Sequence, residues 1–123
     1  MGLVRLLFYP NGRIGRAWYW LGLVLELVFF VLGLVAVGGM QQYWGLKEID
    51  ESPLLMIAVY AVLALNFYVS VVIHAKRFHD RGRSGWWQLV SFIPFGGLYV
   101  LIVCGFMPGD EGPNAYGPDP RQA

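Results

Sequence analysis

The pair His79-Asp80 is the first place in this chain where chemistry could occur, because a carboxylate can orient an imidazole for general acid or base catalysis. Adjacent residues on a loop do not by themselves make a dyad, and the sequence offers no third member nearby. His74 and His79 also lack carboxylate or thiolate neighbours at the spacing of known metal sites. The single Cys104 has no partner for an internal disulfide and is interpreted as an apolar packing residue. We predict no catalytic residue, no metal and no cofactor, and we expect a protein that is not an enzyme.

A basic, glycine-broken loop, Lys76 to Gly85, runs directly into the pair Trp86-Trp87 and could bind phosphate. Arginine suits this task because the planar guanidinium group matches the geometry of phosphate oxygens. Basic residues beside a membrane gain roughly 1 kcal/mol each from an anionic leaflet, and tryptophan prefers the headgroup layer. The alternative is that these charges serve only to direct membrane insertion.

The N-terminal segment, Gly12 to Trp20, repeats this design, with basic residues first and an aromatic belt after them. If both elements lie on one face of a membrane, they could form a single basic, aromatic-rimmed surface. The predicted lipid- or partner-binding residues are Arg13, Arg16, Arg77, His79, Asp80, Arg81, Arg83, Trp86 and Trp87.

Three apolar stretches must position these residues: Ala17 to Gly39, Leu54 to Ile73, and Trp86 to Met107. Each approaches or exceeds the roughly 20 residues that cross a hydrocarbon core about 30 Å thick. Composition agrees, since 57% of the 123 residues are hydrophobic and 14% are charged, against roughly 25% charged in soluble domains. Inside lipid the backbone must satisfy its own hydrogen bonds, so helices are expected. We predict an all-α membrane protein with three transmembrane helices in one polytopic domain, residues 1–123.

The third stretch is interrupted by Pro94 to Gly97, and a proline inside a helix frees the carbonyl four residues earlier, here that of Val90. We expect a kinked crossing. The alternative is a re-entrant hairpin turning at Pro94 to Gly97, which would return the C-terminal tail to the cytoplasm. Leu3 to Tyr9 is apolar enough to rest in the membrane interface. The tail, Pro108 to Pro120, is rich in turn residues and should be irregular.

The placement of the nine Lys and Arg residues predicts the orientation. Seven precede the first stretch or separate the second from the third, whereas Lys47 lies between the first and second and Arg121 follows the third. The positive-inside rule therefore puts the N-terminus and the loop 74–85 in the cytoplasm. The first stretch is longer than the apolar core of about 7 to 15 residues in a cleaved signal peptide, so we expect it to stay as an anchor.

Glu26, Asn66 and Pro94 each lie eight residues from the predicted cytoplasmic boundary of their stretch, about 12 Å deep at roughly 1.5 Å per residue. We predict one shared polar layer in which the Glu26 carboxyl hydrogen-bonds to Asn66 or to the carbonyl freed by Pro94. The alternative is that Asn66 merely joins two helices. Together with Ser70, Glu26 and Asn66 form an intramembrane polar set, which could serve as a proton or ion path or could only aid helix packing.

Three blocks of the sequence together resemble the bacterial family of small inner-membrane proteins called domain of unknown function 805. They are the entry Gly12-Arg13, Arg16 and Tyr19-Trp20, the core Arg77 to Asp80 with Gly82 to Trp87, and the ending Gly112, Asn114, Tyr116 to Pro118 and Pro120. Two departures stand out: Ala115 replaces a frequent basic residue, and Arg81 replaces a commonly small polar one. The resemblance implies a three-span plan in the inner membrane and no known activity.

These observations favour a multi-pass protein of the bacterial inner membrane with a non-enzymatic role. We expect an interaction or accessory module whose cytoplasmic basic and aromatic face holds anionic phospholipid or a membrane-protein partner. The alternative is a small oligomeric channel or transporter that uses the intramembrane polar set. Nucleic acid is not an expected partner, and a homo-oligomer remains open.

Overall fold

Two long antiparallel helices form the body of the molecule in the computed structural model, which describes residues 2–122. The α-helices are α1 (Leu3–Phe8), α2 (Arg16–Tyr43), α3 (Pro53–Asp80) and α4 (Gly96–Gly105), and 3-10 helices cover Ile49–Glu51, Gly85–Phe92 and Pro120–Gln122. Helices α2 and α3 have 28 residues each, about 42 Å at 1.5 Å per residue. Pro53 starts α3, where its missing N–H costs nothing, and the Ser52 hydroxyl accepts a hydrogen bond from the Leu55 N–H. The two helices predicted for the first and second stretches are confirmed.

The apolar side chains of α2 and α3 point mainly outward. Only 11% of the most apolar window of α2 and 17% of that of α3 are buried. A core helix of a soluble protein would be buried over most of its apolar surface. Both helices therefore have the length, the composition and the outward apolar surface that a membrane-crossing helix needs.

Two glycines of α2 bring α3 close. A Cβ at Gly22 would stand 2.9 Å from the Ile73 side chain, and one at Gly33 would stand 3.0 Å from Val62. The residue number falls along α3 as it rises along α2, so the helices are antiparallel. Gly22 and Gly33 lie on one face of α2, and this face makes an intramolecular contact with α3.

The third apolar stretch forms a hairpin, residues 85–105, rather than one kinked helix. Its first half is the 3-10 helix Gly85–Phe92 and its second half is α4. At about 2.0 Å per residue in the 3-10 half and 1.5 Å in α4, the halves are about 16 and 15 Å long, and neither crosses a 30 Å core. At the tip, Phe95 adopts a left-handed conformation with φ of 64° and the Gly96 N–H donates to the Ile93 carbonyl.

Both ends of the hairpin lie beside the last turns of α3. Gly85 packs so closely on Ala75 that a Cβ there would stand 2.7 Å from the Ala75 Cβ. At the other end, Arg77 Nε donates to the Cys104 carbonyl at 2.6 Å. The predicted kinked crossing is therefore wrong, and the hairpin that was its alternative is what the structure contains. The physical reason is that the carbonyl of Val90 accepts from the Ile93 N–H at 3.0 Å and so closes a turn.

The buried core lies at this same end of the molecule. It joins α1 and the segment after it to the ends of α2, α3 and α4, through Leu6, Leu7, Ile14, Tyr19, Val69, Ile73, Phe78, Val100, Val103 and Cys104. Cys104 is fully buried, as expected of a packing residue. The segment predicted to rest at the interface contains α1, which packs on α3 and α2. Residues 106–119 contain no helix and are irregular as expected.

The tip of the hairpin provides a matched pair of substitutions. A Cβ at Gly96 would stand 1.6 Å from the Val90 carbonyl oxygen, whereas nothing lies within 4 Å of a Cβ at Gly97. We expect Gly96→Ala to destabilise the protein by about 2 kcal/mol or more, because the turn must open to admit the methyl group. Gly97→Ala should leave the melting temperature nearly unchanged. Thermal unfolding of the detergent-solubilised variants, followed by circular dichroism, measures the difference; equal melting temperatures would contradict the hairpin.

Candidate functional site

A buried ionic cluster lies where α3 ends, and it contains one carboxylate between two guanidinium groups. Arg13 Nε donates to Asp80 Oδ1 at 3.0 Å, and Arg77 Nη1 donates to Asp80 Oδ2 at 2.5 Å. All three side chains are at most 2% exposed. We call Arg13, Arg77 and Asp80 the arginine–aspartate cluster. Burial makes each charge costly unless it is paired and hydrogen-bonded, and here both conditions are met.

Arg13 uses its remaining N–H groups to hold the tail. Nη1 donates to the carbonyls of Gly112 at 2.7 Å and Gly117 at 3.1 Å, and Nη2 donates to the carbonyl of Asp110 at 2.7 Å. One side chain from the segment before α2 thus fixes three points of the chain about one hundred residues later. The Arg13 side chain thus satisfies carbonyls in a tail segment that has no helix to do so.

Arg77 holds the end of the hairpin in the same way. Besides Asp80, it donates to the carbonyls of Cys104 at 2.6 Å, Met107 at 2.5 Å and Ile14 at 3.4 Å. The Cys104 and Met107 carbonyls lie at and beyond the C-terminus of α4 and lack helical partners, whereas Ile14 precedes α2. Arg77 therefore serves as the capping group for α4 and ties it to α3.

Two glycines allow the tail to approach Asp80 closely. A Cβ at Gly109 would stand 1.9 Å from Asp80 Oδ2, and one at Gly82 would stand 2.4 Å from Asp110 Oδ2. The Asp110 N–H donates to the Asp80 carbonyl at 2.7 Å. The sequence signal Pro108-Gly109 thus marks a close backbone contact with the cluster.

His79 turns away from the carboxylate of its neighbour and packs on the tail. Its ring stacks on that of Tyr116 with centroids 4.1 Å apart and planes at 5°. Nδ1 lies 3.0 Å from the Gly12 carbonyl, which can only accept, so Nδ1 is the donor. Asn114 Nδ2 donates to the His79 carbonyl at 2.9 Å. The structure thus gives His79 a contact role and gives Asp80 no imidazole to orient.

The tail ends in a second carboxylate–guanidinium pair. Asp119 Oδ1 accepts from Arg121 Nε at 3.1 Å, and Asp119 Oδ2 accepts from the Gly112 N–H at 2.9 Å. The hydrogen bonds from Arg121 hold the pKa of Asp119 well below its ordinary value. Arg121 Nη2 also donates to the Asp110 carbonyl at 2.7 Å, so the pair closes the tail on itself.

Burial corrects the predicted lipid-binding set. Counted over whole residues, backbone included, Arg13, Arg77 and Asp80 are 5%, 0% and 1% exposed. Their side chains are engaged with protein groups, so they do not face lipid. The basic pattern failed to distinguish them because a buried arginine and a topogenic arginine look alike in sequence. Arg16, His79, Arg81, Arg83, Trp86 and Trp87 stay predictions.

The remaining predicted residues surround the cluster. Arg83 lies over the Trp87 ring at 4.7 Å, and Trp86 is 77% exposed. Arg16 Nη1 donates to the Phe106 carbonyl at 3.0 Å, and Arg81 Nη1 donates to the Pro108 carbonyl at 2.6 Å. We call Arg16, Arg81, Arg83, Trp86 and Trp87 the rim.

The predicted polar layer is only partly assembled. Asn66 Nδ2 lies 3.5 Å from the backbone carbonyl of Glu26, which agrees with the interpretation that Asn66 joins two helices. The predicted bond from the Glu26 carboxyl to Asn66 or to the Val90 carbonyl is absent among residues 2–122. Ser70 lines a different cavity from Glu26 and Asn66.

Sequence reasoning missed two contacts that fix the N-terminal segment. Lys76 Nζ donates to the Arg5 carbonyl, and the Tyr68 hydroxyl donates to the Phe8 carbonyl at 2.7 Å. It also missed the pairing of the Tyr19 hydroxyl with His74 Nε2 at 3.2 Å. The usable signal was position, because Tyr19, His74 and Lys76 lie near the charged ends of the apolar helices α2 and α3.

The sequence comparisons agree with the motifs that build this cluster. The model of the family "Protein of unknown function (DUF805)" matches residues 7–118. This chain belongs to that family. The match includes the arginine–aspartate cluster and the tail through Gly117, so the resemblance inferred from the motifs is confirmed.

Relatives in the DUF805 family are named as membrane proteins. Inner membrane protein YhaH of Escherichia coli (strain K12) is 34% identical over 113 residues, which cover 90% of this chain and 86% of the relative. Inner membrane protein YhaI of the same strain is 35% identical over 112 residues, which cover 90% and 85%. No solved structure matches. These names and the two apolar helices support the prediction of an inner-membrane protein, and the family description gives no activity.

The cluster predicts a large cost for one isosteric change. Asp80→Asn should destabilise the protein by about 3 to 5 kcal/mol, because it leaves two buried guanidinium groups without their carboxylate. Asp50→Asn, the same change at an exposed residue of the loop between α2 and α3, is the matched control and should cost less than about 0.5 kcal/mol. Denaturant unfolding in detergent compares the two. An Asp80→Asn protein as stable as the control would contradict the role given to the cluster.

Proposed function

We propose that this DUF805 protein crosses the bacterial inner membrane twice, with both termini in the cytoplasm and the hairpin dipping into the cytoplasmic leaflet. Eight of the nine basic residues belong to the end of the molecule that holds the arginine–aspartate cluster, and Lys47 alone belongs to the other. The positive-inside rule then assigns the cluster end to the cytoplasm. Compared with the expectation from sequence, the hairpin moves Arg121 and the tail to the cytoplasmic side.

We further propose a non-enzymatic role, as an interaction module whose rim binds anionic phospholipid headgroups. The observation that carries this proposal is Arg83. Its guanidinium group lies over the Trp87 ring, with Cζ 4.7 Å from the ring centroid, and makes no salt bridge within residues 2–122; the neighbouring Trp86 is exposed. A tryptophan in the headgroup layer would hold this cation at the depth of the phosphates.

The contacts of Asp80 and His79 support a structural rather than a catalytic role. Asp80 has both carboxylate oxygens engaged by guanidinium groups, and His79 is stacked on Tyr116. A general base must lie within reach of a substrate proton, and the buried carboxylate of Asp80 does not. The cluster instead serves to hold the rim in place beneath the membrane.

The rim is tested by removing its two loop cations. Each juxtamembrane cation is worth roughly 1 kcal/mol, so the Arg81→Ala/Arg83→Ala protein should bind phosphatidylglycerol about thirtyfold more weakly. Native mass spectrometry of protein released from mixed phosphatidylglycerol and phosphatidylcholine nanodiscs counts the retained lipids. Lys47→Ala, which removes a cation from the opposite end, should retain as many anionic lipids as the unaltered protein. Equal retention by all three proteins would refute lipid binding by the rim.

A further inference from the structure

A cavity of about 440 Å³ lies between α1, α2 and α3, outside the arginine–aspartate cluster and the rim. Apolar side chains line it almost throughout, including the aromatic rings of Phe8, Phe29 and Phe30. Phe29 and Phe8 are 57% and 38% exposed, so the cavity opens to the outer surface of the helix pair. Its size falls within the range of small-molecule pockets.

Among residues 2–122, Glu26 is the one ionisable residue in the lining of this cavity. Its Oε2 is buried, and no donor among residues 2–122 hydrogen-bonds to it. Asn66, the other polar residue of the lining, directs its Nδ2 to the Glu26 backbone carbonyl instead. Ser70 of α3 lies beside the Glu26 carboxyl, and its hydroxyl is also 3.4 Å from His74 Nδ1, so Oε2 is the carboxyl oxygen that lacks a donor.

A buried carboxyl oxygen without a partner is costly, and such groups in native proteins call for a ligand or another explanation. The described part of the lining contains no Lys or Arg that could pair with it. The faces of the phenylalanine rings carry negative electrostatic potential and attract cations. A carboxyl group, ring faces and apolar walls together are complementary to a cation whose charge is attached to a large apolar body.

We propose that this cavity binds a hydrophobic organic cation, of the quaternary ammonium or phosphonium class, with the charge against Glu26 and the apolar groups against α1 and the phenylalanines. Such a compound reaches the cavity from the lipid because α1 leaves the Phe29 side open. A strongly hydrated inorganic cation does not fit, since the walls offer almost no oxygen ligands to replace its water. The inference does not rest on lipid binding by the rim.

The test uses the full chain in nanodiscs of zwitterionic phosphatidylcholine, with radiolabelled tetraphenylphosphonium as the probe in equilibrium dialysis. We expect saturable binding with one site per chain. Glu26→Gln should weaken it at least tenfold, because the amide cannot neutralise the cation. Glu111→Gln makes the same chemical change at an exposed tail residue and should bind as the unaltered protein does.

A second arm keeps the result decisive if Glu26→Gln proves unstable. The unaltered protein is titrated with labelled tetraphenylmethane, a neutral compound of similar shape. Binding of the cation but not of the neutral compound supports the proposal. Equal binding of both, no saturable binding of the cation, or full binding by a folded Glu26→Gln protein would overturn it, and equal binding would identify an apolar lipid chain as the occupant.

Discussion

The burial of Asp80 between Arg13 and Arg77 is the constraint on which the rest of this structure depends. Three charges with side chains at most 2% exposed must satisfy each other, since water is not available to do so. Asp80 has only two oxygens, so the guanidinium groups direct their other N–H groups to backbone carbonyls. Those carbonyls belong to the tail and to the end of α4, which explains why segments distant in sequence meet at one end of the molecule.

The same constraint accounts for the hairpin. Arg77 binds the carbonyls of Cys104 and Met107, so α4 must end beside α3, where the hairpin also begins. The chain then has about 20 residues in which to leave and return, and Gly96 permits the tight turn against Val90. The first half packs on α3, and its 3-10 hydrogen bonds satisfy part of its backbone.

The sequence was sufficient for the two long helices because apolar composition over 20 or more residues without a proline has few other solutions. It also identified the Arg77 to Asp80 motif and the glycine-rich ending as blocks that resemble the DUF805 family. The sequence alone could not distinguish the hairpin from a kinked helix, because Pro94 is compatible with both. The contacts that distinguish them join Arg77 to residues 27 and 30 positions away. The burial of Arg13 could not be predicted from the sequence either, since its partners lie up to 104 positions along the chain.

The central claim is that the cluster holds the tail on the same side of the membrane as the N-terminus. It is tested most directly by cysteine labelling with a membrane-impermeant maleimide in spheroplasts. Asp50→Cys lies in the loop between α2 and α3, Glu111→Cys lies in the tail, and the native Cys104 is buried and serves as the unreactive background. We predict that Asp50→Cys is labelled in intact spheroplasts and that Glu111→Cys is labelled only after permeabilisation. Labelling of both positions from outside would mean that the third stretch crosses the membrane, and would contradict the account.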